Sequence, residues 1–206
     1  MAEVNFGSDG DFSESALILR VNNNLANELG NLCQRTLSMV YKNCNQAVPT
    51  EIGPFTPDDE VVLTALRGLH GRCATAISEQ AIQKYVQELI TMVWDGNKYI
   101  DRMEPWVLRK TDPARMATVL YVILELLRHV AILYQPVMPG SANTILDLLA
   151  VPADHRAFEH VAAIDVAEGE EEEDVLGPYT IQPGTPIGKP EGVFPRIDMP
   201  EEQVAS

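Results

Sequence analysis

Apolar and small residues fall at helical intervals along most of the first 150 positions. Ile18, Val21, Leu25, Leu29, Leu32, Thr36 and Met39 keep a three-four rhythm, which predicts a helix from about Phe12 to Asn43. Asp11 and Glu14 have capping-box spacing, with Asp in place of the usual Ser or Thr. Asn22, Asn23 and Asn24 are poor helix formers, so the first half of this helix is expected to be less regular. Pro49, Gly53, Pro54 and Pro57 mark a loop over residues 45–57. Thr56 then caps a second helix with Pro57 at its first position. Gly68 and Gly71 predict that it ends or bends near Cys73. A third helix, from Ser78 to about Met103, carries the stripe Ala81, Tyr85, Leu89, Met92 and Val93, and Pro105 stops it. Asp112-Pro113 opens a fourth, running to about Tyr134. Met116, Leu120, Ile123, Leu127, Val130 and Tyr134 line one of its faces, and Leu124 and Leu126 widen that face. A helix apolar almost all round belongs at the centre of a bundle. Pro136 and Pro139 end it, and a short helix from about Ser141 to Leu149 follows.

The character changes from Val151 onward. Glu168 to Asp174 supplies six acids in seven residues, a solvated stretch with little reason to fold. Prolines and glycines then recur over 175–198 among the apolar anchors Leu176, Tyr179, Ile181, Val193, Phe194 and Ile197. Such a tail packs along another surface. The organisation expected is a lead-in over 1–10, a helical bundle over 11–150, an acidic linker over 151–175 and an extended tail over 176–206.

Composition supports an all-α fold: 46% of the 206 residues are hydrophobic, enough for a sizeable core, but only 6% are aromatic. The longest apolar runs, such as Val119–Leu124, fall short of the roughly 18–20 residues that span a bilayer. No membrane partner is expected. Cys33, Cys44 and Cys73 are too few and too scattered for a disulfide framework, which suits a reducing compartment. The net charge of −15 argues against broad nucleic-acid binding, yet the acids concentrate near the linker and chain ends. Residues 17–134 are close to balanced, so a local nucleic-acid site stays open.

No catalytic constellation emerges. The four histidines lie in different segments. Glu125 and His129 are spaced i, i+4, whereas di-metal bundles use Glu-x-x-His with carboxylates from neighbouring helices. The pair is read as a helix-surface contact near the bundle edge, and no metal ligand set is expected. Cys33 reads as a small apolar helix residue and Trp94 as core. Two features suggest recognition. Asn31 and Arg35 lie one helical turn apart and present an amide and a guanidinium on one face, beside Gly30, where a ligand or backbone has room to approach. Trp106 follows Pro105, so the indole sits on a corner and is either a core plug or a stacking platform. Arg109 and Lys110 follow closely enough to meet phosphates. Taken alone, the first feature is more commonly an ordinary polar helix face.

At these segments the sequence resembles the C-terminal part of methionyl-tRNA synthetases, especially bacterial and plant-organellar forms. The resemblance is carried by Asp9-Gly10-Asp11-Phe12-Ser13, Val21-Asn22, Leu25 to Leu32 and Arg35-Thr36-Leu37-Ser38. It continues in Asn97-Lys98-Tyr99-Ile100-Asp101, Pro105-Trp106-Val107-Leu108, Ala131-Ile132-Leu133, Gln135-Pro136-Val137-Met138-Pro139 and Phe194-Pro195-Arg196-Ile197.

It implies an α-helical anticodon-binding bundle of the class I aminoacyl-tRNA synthetase type, whose partner is methionine tRNA with its CAU anticodon. Asn31 and Arg35 match the family residues that hydrogen-bond to anticodon bases. Pro105 and Trp106 match the corner whose indole stacks on the wobble cytosine. The tail resembles the segment that returns toward the catalytic body. The His-Ile-Gly-His-like and Lys-Met-Ser-Lys-Ser-like motifs of the catalytic domain are absent, as is the metal-knuckle insertion. The chain therefore reads as a fragment that binds no cofactor and does not activate methionine alone, ATP with Mg2+ being used by the catalytic domain. A monomer is expected, in the cytoplasm or the interior of a plastid or mitochondrion, with the catalytic part of the same enzyme as a further partner. The competing reading is a non-enzymatic helical module that binds proteins through its apolar groove and tail.

Overall fold

Ser13 caps the first helix, its hydroxyl accepting the Ala16 N–H at 3.3 Å. The computed structural model describes residues 13–162 and 179–198. The lead-in, the Asp11 cap, the acidic run Glu168–Asp174 and the anchor Leu176 lie outside the described residues. Helix α1 spans Glu14–Arg20, a stretch of wider π-type turns follows over Val21–Gly30, and α2 continues over Asn31–Asn43. The Asn31 N–H donates to the Ala26 carbonyl five residues back, so the irregularity of the asparagine-rich half takes the form of π turns.

Helix α3 (Pro57–Ser78) opens on a capping box in which Thr56 N–H donates to Asp59 Oδ2 at 2.8 Å. It passes through Gly68 and Gly71 instead of ending near Cys73. Leu66, Leu69, Cys73 and Ala76 are all buried along one face, and that packing outweighs the helix cost of glycine, about 1 kcal/mol each. The chain turns instead at Glu79–Ala81, where Gln80 is left-handed at φ 57°. Helix α4 is therefore Ile82–Met103, shorter at its start than the periodicity implied. Pro105 does more than stop α4, because it begins a further short helix, α5 (Pro105–Thr111). Helices α6 (Pro113–Tyr134) and α7 (Pro139–Leu148) complete the bundle.

Helix α6 is the axis: every residue from Thr118 to Tyr134 is buried. By length and composition it is apolar enough to cross a membrane, which short uninterrupted runs had not suggested, but 94% of that window lies inside the bundle. Helices α2, α3, α4, α5 and α7 all pack against it. Trp94 departs from expectation. It is 40% exposed, on the outer face of α4.

Glu125 and His129 are not a surface pair either. Both are buried, because two short 3-10 turns (Ala153–His155 and Phe158–Val161) and the tail cover that edge. Glu125 accepts from Arg128 Nε at 2.8 Å and from the Ile181 N–H, while Arg128 Nη1 donates to the His160 carbonyl at 3.0 Å. Burial pushes the Glu125 carboxyl up. Burial, then the Arg128 charge, push His129 down to about 3. The neutral imidazole sits against the Glu125 carbonyl, Nδ1 to oxygen, at 2.9 Å.

A second buried group ties α3 to α4 and α6. Asp59 is fully buried and accepts from Arg115 Nη1 at 2.6 Å, from Arg115 Nη2 at 2.7 Å and from the Tyr99 hydroxyl. Burial opposes its charge, but these donors and the Thr56 N–H hold the carboxyl below its ordinary range. The tail then lies back on the bundle. Val48 N–H donates to Thr185 O at 2.9 Å, Gly188 N–H donates to Leu148 O at 2.8 Å, and Ile181 and Ile187 are buried.

Two outcomes follow for stability. Asp59→Asn keeps the shape but leaves Arg115 without its counter-charge, and urea denaturation should register a loss of about 3 kcal/mol. His129 resists protonation until about pH 3, whereas an unfolded histidine takes up its proton near 6.5. Its contribution is present above 6.5 and lost as pH falls below it, by up to about 1.4 kcal/mol per pH unit. Thermal unfolding from pH 7.5 to 5 should show this slope, flattened in His129→Gln. Comparing the two chains separates it from Glu125, whose raised pKa acts with the opposite sign.

Candidate functional site

The site begins with a close approach of helices. Gly96 on α4 faces the core, where a Cβ would lie 2.8 Å from Leu126 Cδ1 and 3.0 Å from Leu32 Cδ2. The missing side chain lets α2 settle against α4 and α6. Leu32, Cys33, Thr36 and Leu37 take the inward face of α2, which leaves Asn31 exposed and Arg35 at the border. Arg35 Nη2 reaches Asp101 Oδ1 on the last turn of α4 at 2.7 Å. Its guanidinium carbon lies 5.1 Å from the ring centroid of Trp106 on α5, within cation–π range.

Glu104 supplies the corner. Its backbone is left-handed at φ 44°, an uncommon state for a non-glycine residue. It turns the chain between α4 and α5, so that Trp106 stands in the first turn of α5. Pro105 is buried and fixes that corner from inside. Trp106 is half-buried and rests against the core. Arg109 and Lys110 are exposed in the last turn of α5, three and four residues on, and so share the face of Trp106. Neither has a carboxylate partner among the described residues. Asn31, Arg35 and Trp106 therefore occupy one surface region, with Pro105 beneath it and two unpaired cations beside it.

The opposite rim is built by the tail. Phe194 packs on Gly30, where a Cβ would sit 3.3 Å from Phe194 Cδ2. Asn22 clasps the Ile197 backbone twice, donating to its carbonyl at 2.8 Å and accepting its N–H at 2.9 Å. Arg196 Nη2 donates to Asn27 Oδ1 at 2.6 Å. Asn97 on α4 donates to Glu28 Oε2 at 2.9 Å, which braces the π stretch from the other side. Tail residues were not among the sequence-derived candidates. The available signal was the asparagine-rich stretch itself, a costly composition for a helix unless its amides have partners elsewhere.

Cys33 is buried, and burial pushes its thiol up to about 12, so it packs as a small apolar residue. Among the described residues, no group of three or more His, Cys, Asp or Glu side chains is placed to hold a metal ion. The surface instead offers a π face, a guanidinium, an amide and free cations together. That combination suits flat bases on an anionic backbone, which is how unpaired nucleotides are held.

Fold and site thus define a helical nucleic-acid-recognition bundle. Residues 48–204 match the family described as the anticodon binding domain of methionyl tRNA ligase, and the chain belongs to that family. The methionine–tRNA ligase of Rhizobium meliloti is 44% identical over 201 residues, covering 98% of this chain and 36% of its own length. That of Mycobacterium bovis is 42% identical over 205 residues, with the same shares. The crystal structure of free methionyl-tRNA synthetase from Mycobacterium tuberculosis superposes with a TM-score of 0.85 at 42% identity, covering 96% of this chain and 37% of that one. The chain spans little more than a third of these relatives. It is an anticodon-binding domain, and a tRNA is the partner such a domain implies.

Proposed function

We propose that this chain reads the CAU anticodon of methionine tRNA, with the indole of Trp106 stacking on the first anticodon base. The observation that supports this best is the convergence of Arg35, Asp101 and Trp106 at 2.7 and 5.1 Å from three different helices. A base arriving on the ring exchanges the guanidinium contact for its own stacking, worth about 1–3 kcal/mol. Arg35 is then released toward a base edge, with Asn31 one turn away as a second hydrogen-bonding group. Arg109 and Lys110 meet the backbone phosphates. Methionine activation with ATP and Mg2+, and transfer to the tRNA, belong in this reading to the portion of the relatives that the chain does not span. The domain acts as a monomer, in the cytoplasm or in the interior of a plastid or mitochondrion, wherever its ligase serves translation.

The protein-interaction reading has less support. It needs a tail free to bind other proteins, and Ile181 and Ile187 are buried against the chain's own bundle.

Binding of the chain to an RNA stem-loop carrying CAU is the direct test. Trp106→Ala should weaken it about tenfold or more, and in an intact ligase should lower kcat/KM for tRNA while leaving ATP–pyrophosphate exchange unchanged. Equal binding by the variant and the parent would reject the reading. Asp101→Asn should act oppositely. It removes an exposed carboxylate that competes with phosphate for Arg35, so affinity at low salt should rise about two- to threefold.

A further inference from the structure

A cavity of about 100 Å³ lies between α6, the turn that follows α7 and the start of the 179–198 segment. It shares no lining residue with the recognition surface. Leu149, Val151, Pro152 and Ile181 give it apolar walls, and Arg128 stands among them. Tyr179 and Gln182, both exposed, open one side of it to solvent. Arg128 is fully buried and donates through Nε to Glu125 and through Nη1 to the His160 carbonyl. Its remaining nitrogen, Nη2, is buried too and meets no hydrogen-bond partner among the described residues. Leaving a buried donor unpaired is unfavourable, and more so on a charged group. Apolar walls around one fixed polar group are the ordinary build of a small-molecule site.

We propose that this cavity binds a small uncharged organic molecule, apolar over most of its surface, whose carbonyl oxygen accepts from Arg128 Nη2. The walls set the apolar character and the free N–H sets the acceptor. Charge balance disfavours an anion. Glu125 already pairs with Arg128 at 2.8 Å, and both side chains are fully buried. A second carboxylate here would leave two negative charges against one guanidinium, and an uncompensated buried charge is strongly unfavourable. Size sets the scale of the ligand. An apolar cavity of about 150 Å³ takes a benzene ring, so this one, with its open side, suits a five-membered ring that carries an oxygen. Because α6, the α7 turn and the tail all contribute wall, an occupant holds the tail on the bundle. A ligand that binds only the folded form raises its stability.

The test titrates the full chain, labelled at its isoleucine, leucine and valine methyl groups, with cyclopentanone and with methylenecyclopentane, in which a CH2 group replaces the oxygen. The ketone should shift the Leu149, Val151 and Ile181 signals saturably and raise the unfolding temperature. It should bind about tenfold more tightly than the alkene, which leaves Nη2 unpaired. Cyclopentanecarboxylate, the charged probe, should bind more weakly than the ketone. Changing the ligand in this way leaves Arg128 in place, so the folded state is not disturbed. Thr185 also lines the cavity, and its backbone alone bonds to Val48 and Gln182. Thr185→Phe should therefore fill the space and abolish the ketone shifts while the bundle stays folded. If no probe moves these signals, the cavity holds only water and the proposal fails. It fails equally if the alkene matches the ketone, since Arg128 then recognises nothing. Tighter binding of the carboxylate would overturn the uncharged class of ligand.

Discussion

A helical stretch buried all round must be walled on every face, and the Thr118–Tyr134 part of α6 imposes that demand on the rest of the chain. From Thr118 to Tyr134 it has no exposed residue, so the bundle is closed only when the segment over 179–198 returns to cover what the helices leave open. The polar groups inside obey the same constraint. Glu125 survives at the centre because Arg128 and the Ile181 amide both serve it. The tail is thus recruited by a buried carboxylate as much as by its own apolar anchors. Once it lies in place, Phe194 and Arg196 stand opposite the π stretch and give the recognition surface a second rim.

Local charge matters more here than the chain's total. The net charge of −15 would repel a polyanion at long range, yet Arg35, Arg109, Lys110 and Arg196 are distributed around Trp106 and the adjoining rim. Specificity then rests on short-range groups that act after encounter, while the long-range field adds little to association. This suits a domain whose relatives contain nearly twice as much additional chain.

Helix identity was legible wherever apolar residues recur over several turns, as from Met116 to Tyr134, and wherever a cap and proline mark a start, as at Thr56-Pro57 and Asp112-Pro113. Boundaries were not legible where long-range packing overrides local preference. Gly68 and Gly71 look like an ending until Leu66 and Leu69 are seen buried on the same helix. Trp94 looks like core until its neighbours Val93 and Met92 are seen taking that role. The Glu125–His129 pair looks exposed because its cover arrives from the tail, and no local pattern announces that contact. At the candidate site, residue types and spacing pointed to Asn31, Arg35 and Trp106. The Gly96 contact and the tail rim required three dimensions, because each depends on residues far apart in the chain.

The seat of Phe194 on Gly30 carries an evolutionary consequence. The glycine hydrogen faces the ring of a residue near the other end of the chain, and the Leu25 carbonyl closes the remaining space at 3.0 Å from where a Cβ would be. The two positions are consequently coupled by volume. A lineage that acquires a larger residue at 30 can keep the rim only by shrinking or re-angling position 194. Correlated change at these positions, with the intervening bundle conserved, would be the historical imprint of this contact.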